Sequence, residues 1–253
     1  MARFTGRVAV VTGGGRGIGE ATVMAFAAEG GSVVVADVNA DDAARVVAAC
    51  DAPGRVVAAV VDVADRAAVD AMMAQARARF GRLDILANCA GIRGVAAVID
   101  VAPEQWRRVH AVNLEGTLHT MQAFARIVRA DGGRGAIVNL SSMGGIMGVP
   151  NRAAYVSSKH AVTGLTREMA MEAGKYGIRV NAIAPGMIRT PMTEPMFQDP
   201  DEVRRIEAVH PVGRAGEPAE IAAAILFLSS DEAAFITGVI LPVDGGWSAG
   251  KGW

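Results

Sequence analysis

Tyr155 and Lys159 stand four residues apart in the stretch YVSSK, in a 253-residue chain that holds only two tyrosines and three lysines. On a helix, positions i and i+4 lie on one face, a turn apart, so the phenol and the ammonium would project side by side. Such a pair is equipment for moving a proton to or from an oxygen, as when a carbonyl becomes an alcohol or the reverse. A free phenol, with a pKa of ~10, is a poor base at neutral pH, and bringing it near 7 takes ~4 kcal/mol of preference for the phenolate. One cation ~4 Å away at an effective dielectric of ~20 supplies about that much. On this reckoning Lys159 is a sufficient activator of Tyr155.

The elements that must hold this pair can be read from hydrophobic patterning. Short runs rich in Val, Ile and Leu recur: RVAVVTG, SVVVADV, RVVAAVVDV, LDILANCAG, GAIVNLSS, IRVNAIAPG and VILPVDGG. Nearly continuous apolar character suits strands buried on both faces of a parallel sheet. Helical periods lie between them, at Gly17 to Glu29, Asp65 to Phe80, Pro103 to Arg129 and Arg152 to Tyr176. The alternation predicts an α/β fold, doubly wound, with helices on both faces, and no linker or repeat divides residues 1–253 into more than one domain. In such sheets ligands sit beyond the carboxyl ends of the strands. The least regular segment, 187–211, follows the sixth strand at that end and is expected to be a substrate lid.

A glycine-rich turn, TGGGRGIG, joins the first strand to the first helix, with Gly13, Gly17 and Gly19 spaced G-x-x-x-G-x-G. Glycines there let backbone N–H groups approach a pyrophosphate, whose charge a helix N-terminus favours. Asp37 ends the second strand, where a carboxylate accepts hydrogen bonds from the adenosine ribose of NAD. The same carboxylate would repel the 2′-phosphate of NADP by ~1–4 kcal/mol at ~4 Å. Arg16 could pair with that phosphate, or be neutralised by a neighbouring carboxylate such as Asp37 itself. The balance favours NAD over NADP. Asp62 and Val63 end the third strand, within reach of an adenine.

Formal net charge is −1 with no block of like charges, which argues against nucleic acid or an anionic membrane surface as partner. Cys50 and Cys89 match no metal-ligand spacing and no disulfide framework, so no metal is expected and a reducing cytoplasm is the simplest location. Neither a signal peptide nor a membrane-length apolar run is apparent.

TGGGRGIG, NCAG, Val112-Asn113, NLSS, YVSSK, APGMIRTPM and ITGVILPVDGG occur in one order along the whole chain. In that ordered set the sequence resembles the short-chain dehydrogenase/reductase family. The resemblance implies a single-domain Rossmann fold with a seven-stranded parallel sheet, a homotetramer, and hydride transfer between a nicotinamide and an alcohol or ketone carbon. It selects Asn113, Ser142, Tyr155 and Lys159 as the catalytic set. Ser142 would hydrogen-bond the substrate oxygen, Lys159 would also hold the nicotinamide ribose, and Asn113 would hold a water in a proton relay. It brings Gly13, Arg16, Gly17, Ile18, Gly19, Asp37, Asp62, Val63, Asn88, Ala90, Gly91, Tyr155, Lys159, Pro185, Gly186, Ile188 and Thr190 to the cofactor. Cys89 departs from the family, which more often has a second Asn there. Met143, Met147, Met187, Met192 and Met196 fall near the substrate side and, with Ser142, suggest an adaptable apolar pocket. The expected function is an NAD-dependent oxidoreductase acting on a secondary alcohol or ketone of small to medium size. The alternatives are an NADP-dependent 3-oxoacyl-thioester reductase and a catalytically inactive nucleotide-binding regulator.

Overall fold

The computed structural model describes residues 2–250. Its seven strands are β1 (Val8–Thr12), β2 (Ser32–Asp37), β3 (Val56–Val60), β4 (Ile85–Asn88), β5 (Gly135–Leu140), β6 (Ile178–Pro185) and β7 (Ile240–Val243). They form one sheet in the order β3-β2-β1-β4-β5-β6-β7, and every pairing is parallel. The order reverses between β1 and β4, so the loops after these two strands diverge and leave a crevice at their carboxyl ends. Register places Thr12 opposite Asn88, and Asn88 opposite Asn139.

Among the described residues there are nine α-helices: α1 (Gly17–Ala28), α2 (Ala40–Ala49), α3 (Arg66–Phe80), α4 (Pro103–His110), α5 (Gly116–Ala130), α6 (Ala153–Ala173), α7 (Glu194–Phe197), α8 (Pro200–Val209) and α9 (Pro218–Ser229). Of these, α1, α2, α3, α5, α6 and α9 cover the sheet. Alternate strand residues feed two cores. Ala9, Val11, Val33, Val35, Ile85 and Ala87 pack with Val23 and Phe26 of α1, Val46 of α2 and Ile221 and Ile225 of α9. Val8, Val10, Val34, Leu86 and Ile137 pack on the other face with Met73 of α3, Phe124 of α5 and Ala170 of α6. This is the period of two expected when both faces are covered. Each fully buried large side chain contributes on the order of 1.5–3 kcal/mol. At the two edges the continuous apolar pattern stops meaning full burial: Val60 of β3 is 63% exposed, and no residue of β7 is fully buried.

Three sequence expectations are corrected. Segment 187–211 is not irregular: α7 and α8 occupy much of it, and α8 begins at Asp199, whose carboxylate accepts from the Asp201 N–H, with Pro200 at the first helical position. The stretch Pro103 to Arg129 is not one regular helix, because a π-helical turn, Ala111–Glu115, separates α4 from α5. Helices α2 and α9 went unanticipated. The first is opened by the Asn39 side chain, which accepts from the N–H groups of Asp41 and Asp42. The second is opened by a capping box between Glu217 and Glu220. No helix among the described residues is long and apolar enough to cross a membrane.

Candidate active site

A cleft of about 590 Å³ opens at the carboxyl ends of the strands, over the β1–β4 switch point. Its floor is the glycine-rich turn. Gly13 has a φ of +62°, and a Cβ there would lie 2.7 Å from the Ala90 Cα, so only glycine lets this turn lie against the end of β4. Gly17 has a φ of +56° and faces Thr190, whose Cβ would be 3.3 Å from any Cβ at that position. The loop after β6 therefore closes over the start of α1. No side chain caps the N-terminus of α1, leaving its first-turn N–H groups available to an anion. These features fit the pyrophosphate of a dinucleotide: a tight turn, close backbone approach and an open helix N-terminus.

Charges at the adenosine end are partly spoken for. Asp37 accepts the Gly15 N–H at 2.8 Å and the Asn39 N–H at 3.0 Å, which fixes its carboxylate beside the turn. Arg16 donates to Asp42 at 2.6 Å. Its partner is therefore not Asp37, and Asp42 had no signal in the sequence because the pairing exists only once α2 has formed. Asp62 accepts the Ala64 N–H at 2.9 Å and lies 3.5 Å from the Arg108 guanidinium, while Val63 is buried beneath.

The chemistry-bearing groups converge from three elements. Tyr155 and Lys159 sit one turn apart near the start of α6, with the Lys159 Nζ 5.7 Å from the centre of the Tyr155 ring. That ammonium donates to the Leu140 carbonyl at the end of β5 at 2.7 Å and is only 4% exposed. Ser142, just beyond β5, accepts the Gly144 N–H at 3.0 Å and lines the cleft together with Tyr155. Ser141 instead donates to the Lys159 carbonyl, which braces β5 against α6.

Asn113 lies in the π-helical turn and is fully buried. Its Oδ1 accepts the Ile92 N–H at 2.8 Å, and its Nδ2 donates to the Ile92 carbonyl and to Ser158 Oγ. A Cβ added to Gly91 would lie 3.3 Å from the Asn113 Oδ1 and 3.5 Å from the Lys159 Nζ, so these two groups flank one small space.

Burial overrides the simple charge argument for Tyr155. It pushes the phenol above its ordinary value of 10.0, while the Ser142 hydroxyl and the charges of Arg152 and Arg93 pull the other way. Lys159 itself is brought down to about 8, again by burial. Two desolvated groups of opposite charge type both drift toward neutrality, because water no longer stabilises either ion. The Cys89 thiol is pushed up to about 12 by burial, so it is no nucleophile.

Gly13, Arg16, Gly17, Ile18, Gly19, Asp37, Asp62, Val63, Ala90, Gly91, Ser142, Tyr155, Lys159, Pro185, Gly186, Ile188, Thr190 and Met192 all line the cleft. Asn88 does not: its side chain is consumed by Asn139 and Thr120 beneath the floor. Met143 is buried in the interior, and Met147, Met187 and Met196 lie outside the lining, so of the five methionines expected on the substrate side only Met192 faces the cleft. No group of three or more His, Cys, Asp or Glu side chains among the described residues could hold a metal ion.

Residues 13–248 match the family model described as enoyl-(acyl carrier protein) reductase. Levodione reductase of Leifsonia aquatica is 41% identical over 257 residues, covering 98% of this chain and 96% of that protein. Meso-2,3-butanediol dehydrogenase of Serratia marcescens is 39% identical, covering 99% of this chain and 98% of the relative. A crystal structure of levodione reductase superposes with a TM-score of 0.93 at 40% identity, over 98% of this chain and all of the other.

Proposed function

Because the chain belongs to the short-chain dehydrogenase/reductase family, in which a nicotinamide dinucleotide is the cofactor, we propose that it is an NAD-dependent dehydrogenase that interconverts secondary alcohols and ketones. The observation that carries the reaction is the convergence of Tyr155, Ser142 and Lys159 on one cleft beside the glycine-rich turn. Bound nicotinamide supplies or accepts the hydride. Tyr155 gives or takes the proton at the substrate oxygen, and Ser142 holds that oxygen by a hydrogen bond that strengthens as charge develops on it. Lys159, held by the Leu140 carbonyl, keeps a positive charge near the phenol and reaches the ribose hydroxyls of the cofactor. Asn113 and Lys159 flank a space over Gly91 that fits a relaying water. Segment 187–211 acts as the lid, since Thr190 already packs across the glycine turn.

The preference for NAD rests on Asp37 and Arg16 together. Asp37 is fixed where the ribose hydroxyls would meet it, and the Arg16 guanidinium is already engaged by Asp42. A 2′-phosphate would face two carboxylates with their nearest cation committed. The thioester-reductase alternative draws on NADP and loses ground for the same reason.

Two measurements test this reading. NADH should bind tightly and NADPH weakly in a fluorescence titration; the opposite order would assign dominance to Arg16 and overturn the cofactor choice. The Tyr155→Phe protein should keep NADH affinity and lose alcohol oxidation by about 10²-fold or more. Turnover near the wild-type rate in that variant would remove Tyr155 from the reaction.

A further inference from the structure

Two arginines, neither part of the cleft lining, stand near the catalytic tyrosine without a carboxylate in ion-pair contact. Arg152 is the residue before α6 and lies one turn from Tyr155, at the i, i+3 spacing that puts side chains on one face. Arg93 sits on the loop after β4, which is laid against Arg152 by the Ala96–Arg152 bridge and by the hydrogen bonds Ala96 N–H to Asn151 and Ala153 N–H to Ala96. Among the described residues, both arginines that line the cleft have an acidic partner: Arg16 has Asp42 and Arg108 has Asp62. Neither Arg93 nor Arg152 has a carboxylate within 4.0 Å among those residues.

What they do touch is backbone. Arg93 reaches the Met192 carbonyl at 3.5 Å, in the segment over the cleft, and Arg152 donates to the Asn151 carbonyl. Both are half-buried. Burial first, and the like charge of Arg93 second, pull the Arg152 guanidinium below its ordinary value, and the charges of Tyr155 and of Glu202 on α8 oppose them only in part. The N-terminus of α6 adds a third positive feature, since no side chain caps it. Two partly desolvated guanidiniums held close to one another are unfavourable unless an anion comes between them.

We infer that the substrate carries an anionic group, and that Arg93 and Arg152 are the specificity residues that hold its carboxylate while Tyr155 and Ser142 hold the reacting oxygen. The inference rests on the dehydrogenase reading and refines its substrate class to hydroxy acids and oxo acids. Met192 then closes over a ligand that is apolar in its middle and charged at one end.

The test uses a matched pair, 4-hydroxycyclohexanecarboxylate and 4-hydroxycyclohexanecarboxamide, which differ in charge and hardly in shape. Calorimetric titration into wild-type protein with NADH present should show the carboxylate bound at least about tenfold more tightly. Arg152→Gln and Arg93→Gln should each remove about ten- to a hundredfold of that affinity, leave the carboxamide unchanged, and be rescued in part by Arg152→Lys. Equal binding of the two compounds by the wild type would overturn the inference. So would an equal loss of affinity for the carboxylate and the carboxamide in Arg152→Gln, which would make the arginines supports of the fold rather than readers of the substrate. Charge-selective binding without oxidation of any of these alcohols would leave the inference standing and defeat the dehydrogenase reading instead.

Discussion

Lys159 is the residue whose environment departs furthest from what spacing alone suggests. Its distance from Tyr155 along the chain identifies the pair, but nothing in YVSSK says that the ammonium is 4% exposed and donates to the Leu140 carbonyl. Desolvation is a property of the folded surroundings, so the shift of Tyr155 upward and of Lys159 downward could not be read from residue types. The Lys159 shift has a consequence for stability. With a folded value of about 8 and an ordinary value of 10.5, the native state binds fewer protons than the unfolded chain between those pH values, so stability rises with pH across that window. At pH 7 the buried ammonium costs on the order of 3 kcal/mol, relative to a group with no charge to bury. Lys159→Met, free of cofactor, should therefore melt several degrees higher than wild type at pH 7, and the gap should close toward pH 10. A gap independent of pH would mean that packing, not charge, separates the two proteins. The same dependence on folded context hid Asp42 behind α2, Ser158 behind its bond to Asn113, and Arg93 behind the Ala96–Arg152 bridge.

At the scale of elements, what could be read was a regular apolar pattern, which all seven strands carry. The five inner strands carry it because both of their faces are covered, and α1 and α6 announce themselves because glycine or YVSSK marks their starts. Helix α8 stayed hidden since Ile206 is its only buried residue, leaving no apolar stripe to detect. The π-helical turn was likewise invisible, because an apolar period of one turn does not reveal an extra residue in the backbone. That turn carries Asn113 into contact with both the loop after β4 and Ser158 of α6. The glycine-rich turn is the element most constrained by its neighbours. Gly13→Ala would place a Cβ 2.7 Å from the Ala90 Cα at a φ of +62°. It should lower stability by about 1–3 kcal/mol and abolish NADH binding, both measurable by thermal melts with and without NADH. If the melt still rises with NADH as it does in wild type, the turn is not the pyrophosphate cradle.

Across the whole molecule, the sheet and its helices are pinned together by a small polar network in an otherwise apolar interior. Asn88 of β4 donates to Asn139 of β5 at 2.9 Å, Asn139 donates to Thr166 of α6 at 2.9 Å, and Thr120 of α5 donates to Asn88 at 2.8 Å. Asn139→Ala strands the Asn88 amide and cuts the link to α6, so it should cost about 2–4 kcal/mol. A denaturant titration would read this as a lower midpoint with unchanged slope, and a shift below 1 kcal/mol would mark the network as dispensable. The burial pattern divides the chain unevenly between holding the fold and meeting the ligand. From Arg189 to Val209 only Ile206 is buried, while both cores are built almost wholly from residues outside that stretch. Substitutions in this stretch have little of the interior to disturb. A lineage can therefore exchange them almost freely, acquiring appetite for a new alcohol without first having to relearn how to fold.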